Sequence, residues 1–393
     1  MSESWNNWSG SVTCRPRQIA APDSEAAVVE LVRRAAEAGQ CVRVAGSGHS
    51  FLPLCATDEV LVSLDALAGI ESVDRDKCEA TIRAGTKLHA LGESLWQHGL
   101  ALANQGDIDR QSLAGAIATG THGTGRTLGS LSTQVVGLRI VTGNGDLLDV
   151  ALDDDPDTMA AARVSLGALG VTTAIRMRLM PAYRLHERLW QEPIEECLAR
   201  LDERIAATRH FEFFWYSATD LAHAKALDPT DREPEEMADT PGGRIDRSYR
   251  VFPTSRENRF NEMEYSVPAE EGRDCFAAIR DLMRTRHAHV TWPVEYRTLA
   301  ADAIDLSTAE GRETVAISIH QAAELDHREF FADAEPIFRH HGGRPHWAKL
   351  HTLSAVELAP LYPQWGHFQA IRRKLDPRGI FMNDHLKQLF EAE

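Results

Sequence analysis

The sequence predicts an α+β fold organised as two domains, and three observations predict it. Strand-like runs and amphipathic helices intermingle in both halves of the chain. Three glycine-rich segments, at 45–50, 114–125 and 165–172, all precede residue 181, each beside an apolar strand-like run. After Pro181 the chain becomes richer in aromatic and charged residues and carries enough strand and helix candidates for a core of its own.

Residues 23–38 read as an amphipathic helix capped by Asp23 and closed by Gly39, with Ala27, Val28, Leu31, Val32 and Ala35 on one side. Strands follow at 41–45, 60–64 and 79–83, then a helix at 87–98 that ends at Gly99. Residues 134–150 form a hairpin turning at Gly143-Asn144-Gly145-Asp146, and a strand at 171–179 ends at Pro181. Beyond it, strands are expected at 210–216, 248–252, 260–267, 289–297 and 314–320, and helices near 194–207, 269–286 and 327–341. An exposed loop is expected at 228–243. The tail holds a helix around 367–374, a turn at Asp376-Pro377-Arg378-Gly379 and a last helix from about 383. The resulting domains are 1–180 and 181–360, with a tail of 361–393.

With 393 residues, 43% of them hydrophobic, the chain has ample apolar side chains for real cores. A net charge of −16 argues against nucleic acid, anionic membranes and polyanionic substrates, whereas neutral polar substrates fit. Six cysteines without a CxxC pair read as buried free thiols in a reducing compartment. Met1-Ser2-Glu3-Ser4-Trp5 lacks the pattern of a signal peptide, and no apolar run is long enough to cross a bilayer. A soluble, cytoplasmic protein is therefore expected.

Ala45-Gly46-Ser47-Gly48-His49-Ser50 follows the apolar run Cys41-Val42-Arg43-Val44. Two glycines one residue apart allow a tight turn whose N–H groups converge, as a pyrophosphate requires. The spacing is not that of a nicotinamide-binding G-x-G-x-x-G unit, because no helical pattern opens after the glycines. His49 points at whatever the loop holds. With the segments at 114–125 and 165–172, the loop reads as the bed of one long ligand lying across a domain. Three tight packing contacts are the alternative.

In the second half, period two places Glu295 and Arg297 on one face of a strand. They offer an acceptor and a fork of donors to one polar ligand. Ala316, Ser318 and His320 share a face opposite Val315, Ile317 and Ile319, and Trp347, Lys349 and His351 share another. Each alone also reads as an ion pair or a satisfied core histidine. The pairs His287/His289 and His340/His341 lack further ligands at sensible spacing, so no metal is expected.

Together these residues carry a resemblance. The chain resembles the vanillyl-alcohol-oxidase-type (VAO/PCMH) FAD flavoproteins, within them the aldonolactone and alditol oxidases that include L-gulono-1,4-lactone and D-arabinono-1,4-lactone oxidases. Val44–Phe51 is similar to that group's pyrophosphate loop, whose histidine carries the flavin covalently. Gly106-Asp107-Ile108-Asp109-Arg110-Gln111 leading into 114–125 is similar to its second FAD-binding segment, as written in the lactone oxidases. Glu295-x-Arg297 is similar to its active-site strand. His346-Trp347-Ala348-Lys349, Tyr362-Pro363 and Leu375-Asp376-Pro377-x-Gly379-x-Phe381-x-Asn383 are similar to its C-terminal signature.

The resemblance implies a two-domain FAD-binding fold, its N-terminal domain completed by the C-terminal tail, with a central α+β cap carrying the substrate site. It implies FAD tethered through His49 and bound by Ala45, Gly46, Ser47, Gly48, Ser50, Gly106, Ser112, Gly115, Thr119, Gly120, Thr121, His122, Gly123, Gly170, Val171 and Asn383. The implied chemistry moves a hydride from a sugar-derived CHOH group to flavin N5, with reoxidation by molecular oxygen to hydrogen peroxide. Arg297 stabilises the alkoxide-like oxygen, Lys349 assists and relays a proton, and Glu295 fixes substrate hydroxyls. His320 and Asp107 complete the catalytic set, standing where alditol oxidases carry hydroxyl residues, which favours an aldono-1,4-lactone over an alditol. A dehydrogenase using another acceptor is the rival within the family, and a non-catalytic flavin carrier the rival outside it. Gly106 lies beside the flavin C4a–N5 edge in the resemblance and leaves oxygen a path, unless it is a turn residue needing positive φ. The expected partners are a small polar sugar-derived substrate and oxygen, in a monomer or small homo-oligomer.

Overall fold

A computed structural model of the chain describes residues 4–234, 243–254 and 258–391. The first helix spans Glu25–Ala38, and its cap is Ser24 rather than Asp23, because the Ser24 side chain accepts the Ala27 N–H at 3.3 Å. Gly39 ends the helix at φ 63°, a left-handed turn that glycine adopts without strain. Behind this helix lies a parallel sheet of Gln18–Ala20, Val60–Ser63 and Val42–Ala45. Beside it is a five-stranded antiparallel sheet, ordered Leu147–Ala151, Val135–Val141, Val171–Arg178, Glu79–Arg83, Ile70–Asp74. The tail returns to these sheets. Val42 N–H donates to Ile380 O and Gly143 N–H to Leu375 O, both at 2.8 Å.

The middle of the chain forms an eight-stranded antiparallel sheet, ordered Ile245–Arg247, Arg184–Pro193, Leu221–Thr230, His210–Tyr216, Val294–Leu299, Thr314–Ala322, Phe260–Pro268, Arg344–Pro345. Alternation divides its residues between two faces. Phe213, Trp215, Tyr296, Ile317, Met263 and Tyr265 pack into the core with the helices Ile194–Ala199, Gly272–Thr285 and Arg328–His340. Phe213 stacks on Tyr296 with ring centroids 5.0 Å apart and meets Phe276 edge-on at 5.3 Å. Burying each such ring stabilises the layer by about 1.5–3 kcal/mol. The opposite face carries Glu212, Lys225, Glu262, Glu264, Glu295, Arg297, Ser318 and His320, all buried.

Several expectations differ from the structure. Residues 248–252 are not a strand, since Ser248–Val251 is a helical turn. The strand expected from 289 begins at Val294, because Pro293 has no N–H to pair. Strand Leu221–Thr230 runs through the start of the loop expected at 228–243, and 235–242 lie outside the described residues. Arg184–Pro193, also a ten-residue strand, was not expected. No helix among the described residues is long and apolar enough to cross a membrane.

Candidate active site

The three glycine-rich segments line one cavity of about 130 Å³. Its walls include Gly46, Gly48, Ser112, Gly115, Gly167 and Gly170. A Cβ on Gly46 would sit 2.2 Å from Ser112 Oγ, so two loops meet there with room for backbone only. Gly170, at φ 150°, would bring a Cβ within 2.5 Å of Ile140. Ala45, Ser47, His49, Ser50 and Thr119 line the same cavity.

A second cavity of about 70 Å³ adjoins the polar face of the large sheet. Gly106, Asp107, Thr121 and His122 enter it from the N-terminal half, Glu262, Glu264, Glu295, Arg297 and His320 from the sheet, and Lys349 from the turn after the last strand. His49 lines both cavities, at their junction. A wider cavity of about 1320 Å³ shares Asp107, Phe260 and His320 with the small one and gives it an approach.

Four expected flavin contacts line neither of the first two cavities. Gly120 is a turn residue at φ 74°, and Gly123 packs against Gln105, whose carbonyl a Cβ would approach to 2.3 Å. Val171 is wholly buried and paired with Val141. Asn383 caps the last helix and donates to the carbonyls of Pro53, at 2.9 Å, and Ala56, at 2.8 Å. These four hold the scaffold. Trp347, Lys349 and His351 also do not share a strand face, because 347–349 is a turn. Trp347 Nε1–H donates to Leu306 O at 2.6 Å, while His351 is half-buried near His385 with both ring nitrogens shut off from solvent.

Strand register aligns the charged groups. Lys225 stands opposite Glu212, Glu212 opposite Arg297, Glu295 opposite Ser318, Ser318 opposite Glu264, and Glu262 opposite His320. Arg297 Nε donates to Glu212 Oε2 at 2.7 Å; its Nη2 lies 3.3 Å from Asp107 Oδ2 and also pairs with Glu295. Burial opposes the Arg297 charge, but Glu212, Glu295 and Asp107 outweigh it and hold the guanidinium well above its usual range. His122 Nε2 bonds Glu264 at 2.7 Å; burial works against this imidazolium and the carboxylate prevails, so its pKa is raised. Lys349 pairs with Glu262 and lies 5.2 Å over the Phe51 ring, while Phe51 N–H holds Ala348 O at 2.8 Å. Burial, then the cations Lys349 and Lys87, lower the His49 pKa to about 4, leaving a neutral imidazole at neutral pH.

Comparison with known proteins decides the family. The D-arabinono-1,4-lactone oxidase family matches residues 175–243 and 240–389, and an FAD-binding domain family matches 16–151. The chain belongs to the D-arabinono-1,4-lactone oxidase family. It is 38% identical to an L-gulono-1,4-lactone dehydrogenase of Mycobacterium tuberculosis over 99% of both chains. It is 31% identical to an alditol oxidase of a Streptomyces species over 100% of both. Its fold is that of a cholesterol oxidase from Brevibacterium sterolicum, with a TM-score of 0.89 at 18% identity over 99% of this chain and 97% of the other. The expected FAD-binding domain is thus present, and the cradle lined by backbone at Gly46, Gly48, Gly115 and Gly170 suits the close approach of a long cofactor such as FAD.

Four members of this charged cluster were not expected from the sequence: Glu262, Glu264, Glu212 and Lys225. Glu262 and Glu264 were legible: alternation in Phe260-Asn261-Glu262-Met263-Glu264-Tyr265-Ser266-Val267 sets two carboxylates behind an apolar face, and buried carboxylates need partners. Glu212 and Lys225 pair across a strand that was not expected, so nothing in the sequence joined them. Two buried groups, His122/Glu264/His346 and Glu262/Glu295/His320, bring potential metal ligands within 4.8 Å, away from the paired histidines considered in the sequence. In the first, His122 and Glu264 are hydrogen-bonded directly to each other at 2.7 Å.

Proposed function

We propose that this chain oxidises a CHOH group of a neutral sugar-derived substrate, an aldono-1,4-lactone, and passes the electrons to molecular oxygen with release of hydrogen peroxide. The observation that carries the reading is that Arg297, Lys349 and His49 line one chamber continuous with the glycine-lined cradle. FAD, when bound there, supplies the hydride acceptor.

Arg297 cannot release its proton, so it stabilises the substrate oxygen as negative charge develops. Glu212 and Asp107 fix its orientation, and Glu295 accepts from substrate hydroxyls while pairing with it. Lys349 takes the hydroxyl proton. The crowd of carboxylates around one guanidinium supports a neutral substrate over an aldonate anion. The neutral His49 imidazole at the cavity junction supports a covalent tether through this residue. Gly106 supports oxygen as acceptor: it lines the small chamber and is not left-handed, so no turn there demands a glycine. The relative's dehydrogenase name favours a second reading with another acceptor. Six free cysteines support a reducing, cytoplasmic setting.

An oxygen-electrode screen of aldonolactones and alditols, with catalase added to detect peroxide, tests the reading. It expects oxygen uptake with a lactone, about half of it returned by catalase as the stoichiometry of peroxide requires. No uptake with any lactone, but turnover with a dye, favours the dehydrogenase.

A further inference from the structure

We propose that the wide cavity is a second sugar-binding subsite, so that the favoured substrate is an aldono-1,4-lactone carrying a further neutral sugar ring. The inference rests on the reading above and extends it outward from the chamber. Strand register lays out the path. Glu295 stands opposite Phe214, Phe214 opposite His223, and His223 opposite Gln191. These four residues thus form one row across four neighbouring strands, on the face that carries Arg297. Three strand spacings of about 4.8 Å carry the row about 14 Å from Glu295 to Gln191. Glu295 lines the small chamber, and Phe214, His223 and Gln191 line the wide cavity. A substrate whose hydroxyls meet Glu295 therefore extends, on its far side, over Phe214.

The lining suits a sugar. Phe214, Tyr216, His223 and Trp292 are only half-buried, and their rings border the cavity instead of the core. Tyr216 and His223 have ring centroids 4.4 Å apart, and Trp292 lies 5.4 Å from Phe260, which borders both cavities. The C–H face of a sugar ring is apolar and packs on aromatic faces, while its rim of hydroxyls needs donors and acceptors. Gln191, Thr291 and His223 supply these. Charged groups in the walls are paired within the protein. Glu187 Oε2 is 3.0 Å from Arg244 Nε, Glu212 Oε1 is 3.2 Å from Lys225 Nζ, and Asp107 Oδ2 is 3.3 Å from Arg297 Nη2. That pairing favours a neutral extension over a charged one. Size agrees. The chamber of about 70 Å³ takes the reacting end, and the wide cavity of about 1320 Å³ leaves room beyond one lactone ring. An ordinary small-molecule site holds roughly 300–1,000 Å³.

The probe is the 1,4-lactone of a 6-O-glycosyl aldonic acid, whose free 4-hydroxyl closes the same five-membered ring as in its one-ring parent. With the holoenzyme, kcat/KM for the two-ring lactone should exceed that for the parent by about tenfold or more. Phe214→Ala should lower that ratio by about tenfold, and Tyr216→Ala should lower it likewise, in case the first variant folds poorly. A ratio does not depend on how much of a preparation is active. A two-ring lactone used no better than its parent by the wild type, or a ratio unchanged in both variants, overturns the subsite. A 6-O-alkyl lactone used better than the two-ring lactone assigns the cavity to an apolar tail and overturns the sugar as its occupant. If no lactone or alditol reduces the wild-type flavin, the proposed function fails, while calorimetric titration of the resting holoenzyme with the two-ring lactone still decides the subsite. Binding should weaken by about tenfold in Phe214→Ala, and equal affinity overturns the proposal.

Discussion

Glu212 and Arg297 face each other in register on neighbouring strands, Oε2 to Nε at 2.7 Å, and Lys225 closes on the other oxygen of the same carboxylate at 3.2 Å. The guanidinium is thus aimed by a residue that does not line the small chamber. Glu212→Gln should cost about 3–5 kcal/mol of stability, because it strips the buried Lys225 of the carboxylate it pairs with and leaves Arg297 only Glu295 and Asp107. It should also lower kcat by about a hundredfold through misplacement of Arg297. Thermal denaturation with steady-state kinetics checks both, and an unaltered kcat removes Glu212 from this role.

The tether is checked by acid precipitation of the holoprotein. Colour should stay in the pellet for the wild type and leave with the supernatant for His49→Ala. Colour released from the wild type removes the covalent bond from the account.

Gly106→Ala separates the two halves of the reaction. Substrate should reduce its flavin at near wild-type rate, while reoxidation in air slows by tenfold or more and a dye acceptor still works. A variant that reoxidises as fast as wild type places the oxygen path elsewhere.

Acid should destabilise this fold through two half-buried histidines, His351 and His385. Burial, then His385, lowers the His351 pKa to about 3; burial, then nearby Arg43, lowers that of His385 to about 4. Both imidazoles are neutral when folded and bind protons near pH 6.5 when unfolded, so the stability they contribute is complete above that value. It is lost as pH falls from about 6.5 toward their folded values, at up to about 1.4 kcal/mol per unit per group. Neither nitrogen of His351 has a hydrogen-bond partner among the described residues. His351→Leu should therefore flatten the dependence of chemical-denaturation stability on pH between 4 and 6.5. An identical slope assigns the acid lability to other groups.

Much of this site was legible because its signals are local. Glu295-x-Arg297 and the face of His320 follow from period two, and the glycine segments announce close backbone approach through their lack of side-chain volume. The expected positions outside the two cavities make long-range contacts. Asn383 sits in a matching motif yet ties down carbonyls some 330 residues away, and Gly123 serves the packing of its loop against Gln105. The Lys225–Glu212–Arg297 row depends on strand order, and Lys225 lies on a strand whose core-facing positions, Ala222, Ala224 and Ala226, are too small to mark an apolar face. Pairing of that kind is fixed by topology, not by neighbouring residues.

The central claim is tested most directly by mixing the yellow protein with an aldono-1,4-lactone without oxygen and following the flavin band. The wild type should bleach in a single reductive phase, and Arg297→Ala should bleach about a hundredfold more slowly at saturating lactone, as loss of one oxyanion donor does. A wild-type flavin that stays oxidised with every lactone and alditol, or an Arg297→Ala protein that bleaches as fast as wild type, contradicts the account.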